Sequence, residues 1–178
     1  DARGYFCETY NEERYVAAGI AAKFVQDNES RSVYGVVRGL HFQKEPYAQA
    51  KLVRVVSGAV LDVAVDIRPL SPTFGKHFSC VLSGENRLQM FIPRGFAHGF
   101  SVLSESALFQ YKCDRFYRPA SEAGISALDP ALGIDWRIPA EAMILSGKDL
   151  GSPRLCDAPV DFRYGEPLYT LSDDSCHE

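Results

Sequence analysis

Between Lys51 and Arg68 the chain reads KLVRVVSGAVLDVAVDIR, two β-branched runs that meet at Ser57-Gly58, a hairpin-like break. After the break Ala59, Leu61, Val63, Val65 and Ile67 fall on one face of an extended strand, and Val60, Asp62, Ala64 and Asp66 on the other. One face is wholly apolar and the other carries carboxylates. A chain built around such a segment folds by stacking strands in layers. Further strand patterns lie at 19–26, 33–42, 77–82, 87–92, 97–103 and 107–114, separated by Gly, Pro, Asn or Ser. Their short spacing predicts an antiparallel sandwich or barrel. The best helical signal is a short C-terminal segment at 140–145, introduced by Pro139.

The 178 residues suffice for a single domain, with no repeat or linker to divide them, and 46% hydrophobic residues supply a sizeable core. The polar tail from about residue 172 is expected to fray. A net charge of −4 and a pI near 5.6 argue against nucleic acid or an anionic membrane as the main partner. No apolar run approaches the roughly 18 residues that span a bilayer, and the first residues do not form a signal peptide, so the chain reads as cytoplasmic. Cys7, Cys80, Cys113, Cys156 and Cys176 are odd in number and widely spaced, which suits reduced structural thiols.

Two of the four histidines stand in notable settings. His41 ends a strand pattern in Arg38-Gly39-Leu40-His41-Phe42-Gln43, and His98 follows a turn in Pro93-Arg94-Gly95-Phe96-Ala97-His98-Gly99. Taken alone, each reads as a hydrogen-bonded structural histidine; His77 and His177 read as surface residues. The second segment resembles the P-x-G-x-x-H motif of the cupins, double-stranded β-helix barrels. The first departs from the metal-binding cupin pattern, because Gln43 stands where a second His ligand is required and the ammonium of Lys51 follows downstream. The resemblance therefore implies an all-β, cupin-like jelly-roll barrel without a metal or other cofactor, suited to acid–base chemistry on an anionic substrate.

The ordered series Asp1-Ala2-Arg3-Gly4-Tyr5-Phe6-Cys7-Glu8, Gln26-Asp27-Asn28-Glu29-Ser30, Arg38 to Gln43, Lys51 to Val55, Asp62 to Arg68, Gly95 to Phe100, Tyr111-Lys112 and Leu145-Ser146-Gly147-Lys148-Asp149 resembles the dTDP-4-dehydrorhamnose 3,5-epimerases. That family converts dTDP-4-dehydro-6-deoxy-D-glucose to dTDP-4-dehydro-L-rhamnose. The resemblance implies His41 as the base, Asp149 as its orienting carboxylate, Lys51 as the cation for an enolate oxygen and Tyr111 as the opposing acid. It implies substrate-binding roles for Arg3, Glu8, Gln26, Asn28, Arg38, Asp62, His98, Tyr117 and Glu122. It also implies a homodimer with exchanged N-terminal strands, in which Arg3 and Glu8 act in the partner's site. Family members reach the motif at Asp1 only after further residues, so part of the first strand is expected to be missing, leaving an unpaired sheet edge. Two other functions share these residues: a dTDP-keto-sugar monoepimerase, and a catalytically silent cupin that binds a sugar nucleotide. A silent member is expected to have lost His41, Lys51 or Tyr111, and all three are present.

Arg38 and His41 pose a geometric problem. Three residues apart, they fall on opposite faces of a regular strand. A bulge or kink at Gly39 is required to bring both into one pocket.

Overall fold

The computed structural model describes residues 1–165; the tail from about 172, expected to fray, lies outside the described residues, as do Cys176 and His177. A short helix, α1 (Glu12–Ala17), precedes eight strands: β1 (Gln26–Val33), β2 (Val37–Gln43), β3 (Lys51–Ser57), β4 (Ala59–Asp66), β5 (His77–Ser83), β6 (Gln89–Ile92), β7 (Phe96–Val102) and β8 (Ser106–Cys113). A three-residue strand, β9 (Glu122–Gly124), and a one-turn helix, α2 (Gly147–Leu150), follow. Two antiparallel sheets result, ordered β1-β8-β3-β6 and β5-β4-β7-β2-β9. Among the described residues no helix is long and apolar enough to cross a membrane.

The alternation read in β4 is used on both faces. Leu61, Val63 and Val65 pack outward with Ile125, Ala127, Leu132, Trp136 and Leu155, where the C-terminal segment covers the five-stranded sheet. Val60 and Ala64 point between the sheets toward Val53, Val55, Met90, Phe100 and Phe109. Phe100 and Phe109 stack with ring centroids 4.3 Å apart, tying the two layers together.

Three expectations are corrected. Ser57-Gly58 does not close a hairpin: β3 and β4 belong to different sheets, and Gly58 at φ 78° turns the chain from one to the other. The strand expected over 19–26 begins at Gln26 instead, because residues 20–25 follow α1 irregularly and the polar alternation of Gln26–Val33 pairs with β8. The helical segment at 140–145 is a single 3₁₀ turn, Ala140–Ala142, after which Ile144 bridges to Val36 as extended chain.

Gly39 supplies the required irregularity. Arg38 lies opposite Phe100 and His41 opposite His98, so three steps on β2 match two on β7. Since Phe100 and His98 both face Phe109, the extra residue turns Arg38 and His41 onto that inward side. Gly39 has φ 117°, and a Cβ there would lie 2.6 Å from the Gly99 Cα. Only glycine fits.

Candidate active site

The two sheets face each other across a chamber. Register places Lys51 opposite Cys113, Val53 opposite Tyr111 and Val55 opposite Phe109, so these residues line the inner face of the four-stranded sheet. Arg38, His41, Asp62 and His98 face them from the five-stranded sheet.

The Nε2 of His41 lies 2.6 Å from Oδ1 of Asp149. Donation of Nε2–H to that carboxylate leaves Nδ1 as the ring's proton acceptor. Asp149 is itself held: the Ser146 hydroxyl donates to Oδ2 at 2.7 Å, and the Asp149 amide donates to Ser146 Oγ at 3.1 Å. Burial lowers the His41 pKa, opposed by Asp149 and reinforced by the ammonium groups of Lys51 and Lys148. A neutral imidazole, able to accept a proton near neutral pH, is the consequence.

His98 forms a second pair. Its Nε2 lies 3.0 Å from each oxygen of Asp62, a fully buried carboxylate. Burial raises the Asp62 pKa, against the opposing influence of His98 and Lys51. Lys51 is half-buried, and burial lowers its pKa while Cys113, Asp62 and Glu122 counteract the loss. Its ammonium lies 5.9 Å from the Tyr111 ring centroid. Burial also raises the Tyr111 phenol and pushes the Cys113 thiol up to about 11, so both stay protonated at neutral pH.

The remaining candidate residues divide into two groups. Gln26 and Asn28 stand on β1 beside the chamber: Gln26 Nε2 donates to Asn28 Oδ1 at 3.0 Å, and the Tyr117 amide donates to Gln26 Oε1 at 2.9 Å. The Tyr117 hydroxyl donates to Glu122 at 2.7 Å, and Arg38 donates to Ser32 at 3.1 Å with an exposed guanidinium. Arg3 and Glu8 are not brought to this group. Arg3 pairs with Asp1, and Glu8 with Arg14 and Asn11, all within the exposed N-terminal arm.

Gln43, the departure from the metal-binding motif, has a structural task. Its amide donates to the carbonyls of Tyr47 (2.6 Å) and Phe116 (3.3 Å) and accepts from the Arg118 amide (2.6 Å), joining two loops. Among the described residues no group of three or more His, Cys, Asp or Glu side chains could hold a metal ion. Ser146 and Lys148 belong to the Leu145–Asp149 motif but have no role implied for them by the resemblance. The Ser-x-x-Asp cap pattern before Leu150 was the available signal for Ser146; for Lys148, whose ammonium reaches Glu122, there was none.

A cupin-like barrel whose inner faces carry a His–carboxylate pair, a half-buried lysine and a half-buried tyrosine defines a cupin equipped for acid–base chemistry. The family model for dTDP-4-dehydrorhamnose 3,5-epimerase matches residues 1–157. The enzyme of that name from Shigella flexneri is 52% identical over 159 residues, 89% of this chain and 87% of its own length. The crystal structure of the Elizabethkingia anophelis enzyme is 56% identical, with a TM-score of 0.83 over 88% of this chain and 86% of that one. The Legionella pneumophila dTDP-6-deoxy-D-glucose-3,5-epimerase, solved in complex with dTDP-4-keto-L-rhamnose, is 50% identical with a TM-score of 0.88, covering 93% and 89%. This chain belongs to the dTDP-4-dehydrorhamnose 3,5-epimerase family.

Proposed function

We propose that the protein is an isomerase that inverts C3 and C5 of dTDP-4-dehydro-6-deoxy-D-glucose, giving dTDP-4-dehydro-L-rhamnose. The observation that carries the reading is His41 on one sheet, paired with Asp149 of α2 and facing Lys51 and Tyr111 on the other sheet. His41 takes the carbon-bound proton next to the C4 ketone, and the released electron pair moves onto the carbonyl oxygen. Lys51 stabilises that oxygen; its lowered pKa suits it to share a proton with an enolate. Tyr111 returns a proton to the opposite face of the carbon, and exchange with water resets both groups. Arg38, exposed at the chamber's edge, suits the diphosphate, and Tyr117 the nucleobase or sugar. Gln26, Asn28, Asp62, His98 and Glu122 complete the lining.

The working unit is a homodimer in the cytoplasm. In support, Phe6 is 97% and Tyr5 64% exposed on the arm, and the arm's Arg3 and Glu8 pair within the arm and not with this chain's own site residues. Among the described residues Cys7, Cys80, Cys113 and Cys156 are free, as a reducing compartment permits.

The test is turnover of dTDP-4-dehydro-6-deoxyglucose in deuterated water. Label at both C3 and C5 with inversion is expected. Label at one position alone supports a monoepimerase, and label at neither a silent binder. His41→Ala is expected to lower exchange by about 10²–10⁴-fold, the usual contribution of a positioned base.

A further inference from the structure

Helix α2 has four residues, too few to be held by its own hydrogen bonds, yet it carries Asp149. Backbone bonds anchor the chain on either side, Ile144 to Gly35 and Val37 and Pro153 to Ser126, and between these anchors side-chain ties set the turn against the strands. Asp149 itself reaches β2 through His41. The neighbouring Lys148 reaches β9, its ammonium 2.6 Å from Oε2 of Glu122. The two strands are bonded to each other in a register that sets Gln43 opposite Glu122 and His41 opposite Gly124. Consecutive residues of one helical turn thus grip adjacent strands. Glu122 is 22% exposed at its side chain, and the same Oε2 accepts the Tyr117 hydroxyl at 2.7 Å. Burial raises the Glu122 pKa, but the bonds from Lys148 and Tyr117 outweigh it and hold the carboxylate ionised.

We propose that the Lys148–Glu122 ion pair is a positioning device for the catalytic base: it fixes the turn that presents Asp149 to His41. Lys148 is a positioning residue, since it acts through its neighbour. The proposal rests on the reading of His41 as the base. An ion pair with one exposed and one half-buried partner contributes modestly to global stability, so its loss should be read chiefly in the chemistry. The chemistry is sensitive because a displacement of about 1 Å in a catalytic group can cost about 10²-fold in rate.

The test compares Lys148→Met and Lys148→Arg in the deuterium-exchange assay. Lys148→Met is expected to lower kcat about tenfold or more with little change in KM, while melting as the parent does. Lys148→Arg, which keeps the cation, is expected to restore most of the rate. In an Asp149→Asn background Lys148→Met should cost nothing further, because the carboxylate it positions is already lost. The acid limb of the pH–rate profile discriminates further. The titratable groups around His41 are Asp149 and Lys148 on α2, Lys51 on β3, His98 on β7 and Glu122 on β9. If Lys148 acts through Asp149, its removal weakens the support for the imidazolium and moves the limb to lower pH. A move to higher pH would show that only its charge matters and overturn the proposal. So would an undiminished kcat, or a full loss in the Asp149→Asn background. If His41→Ala keeps its exchange, the base assignment has failed instead; an inert His41→Ala beside a fully active Lys148→Met refutes the role of Lys148 alone.

Discussion

His41 and His98 stand directly opposite each other on β2 and β7, and each is tied to a different carboxylate: His41 to Asp149 at 2.6 Å, His98 to both oxygens of Asp62 at 3.0 Å. The carboxylates differ in origin. Asp62 is on the adjacent strand β4 and wholly buried, whereas Asp149 arrives from a separate turn more than a hundred residues downstream of His41. Two imidazoles on one ladder are thereby given separate settings, one deep within the barrel and one at its accessible side.

Replacing Asp149 by Asn should expose this division. The carboxylate raises the His41 pKa against burial and the nearby ammonium groups, so its loss leaves the pKa lower still. With the neutral ring as the proposed base, the acid limb of the pH–rate profile should move to lower pH as the plateau kcat falls. An unchanged limb would show that Asp149 does not act on His41. Asp62→Asn should leave the limb nearer its original position.

Lys51→Met is expected to separate activity from stability. The half-buried ammonium is held in a setting that lowers its pKa, so the folded state favours its neutral form and bears a cost wherever the lysine is charged. That cost is present below the folded pKa and falls away as pH rises through it. Removing the charge should leave the melting temperature at neutral pH unchanged or raised, while exchange falls by about 10²–10³-fold through loss of the enolate's cation. A lowered melting temperature with near-normal exchange would contradict both halves.

Tyr111→Phe tests which face returns the proton. The base and the lysine remain, so deuterium should still enter the sugar, but it would return from the side it left. Exchange without inversion, followed by NMR of the recovered sugar nucleotide, is the expected result. Loss of exchange and inversion in equal measure would assign Tyr111 another role.

Gly39→Ala should be among the most damaging small substitutions. The new methyl group would meet the Gly99 Cα at 2.6 Å and the His98 carbonyl oxygen at 2.7 Å, in a backbone conformation that side chains avoid. A loss of roughly 2–4 kcal/mol in denaturant unfolding is expected, with loss of activity as Arg38 and His41 shift. A variant that melted like the parent would show that the β2 bulge can relax.

The strands were legible because their side chains alternate with a period of two and turn residues punctuate them; β3 to β8 lie close to where the pattern sets them. His41, Lys51 and Tyr111 were singled out by the ordered motifs, and the strand registers place them on facing sides of the two sheets. The Arg38–His41 problem was stated correctly by simple alternation, and a glycine offered its solution. Local pattern could not decide which strands pair. Ser57-Gly58 looks like a hairpin in sequence, yet its two strands enter opposite sheets because β3 finds β6 and β8 while β4 finds β5 and β7. Nor does any local signal say that Lys148 meets Glu122 or that Gln43 joins two loops.

Alternation and residue chemistry act between neighbours in the chain, so the amino-acid order alone determined the layered all-β architecture and the kinds of groups available for proton transfer. Bringing Asp149 to His41, and setting Lys51 and Tyr111 across from both, depends on contacts between segments a hundred residues apart. Only the packing of two sheets and the turn pinned against them could decide those distances.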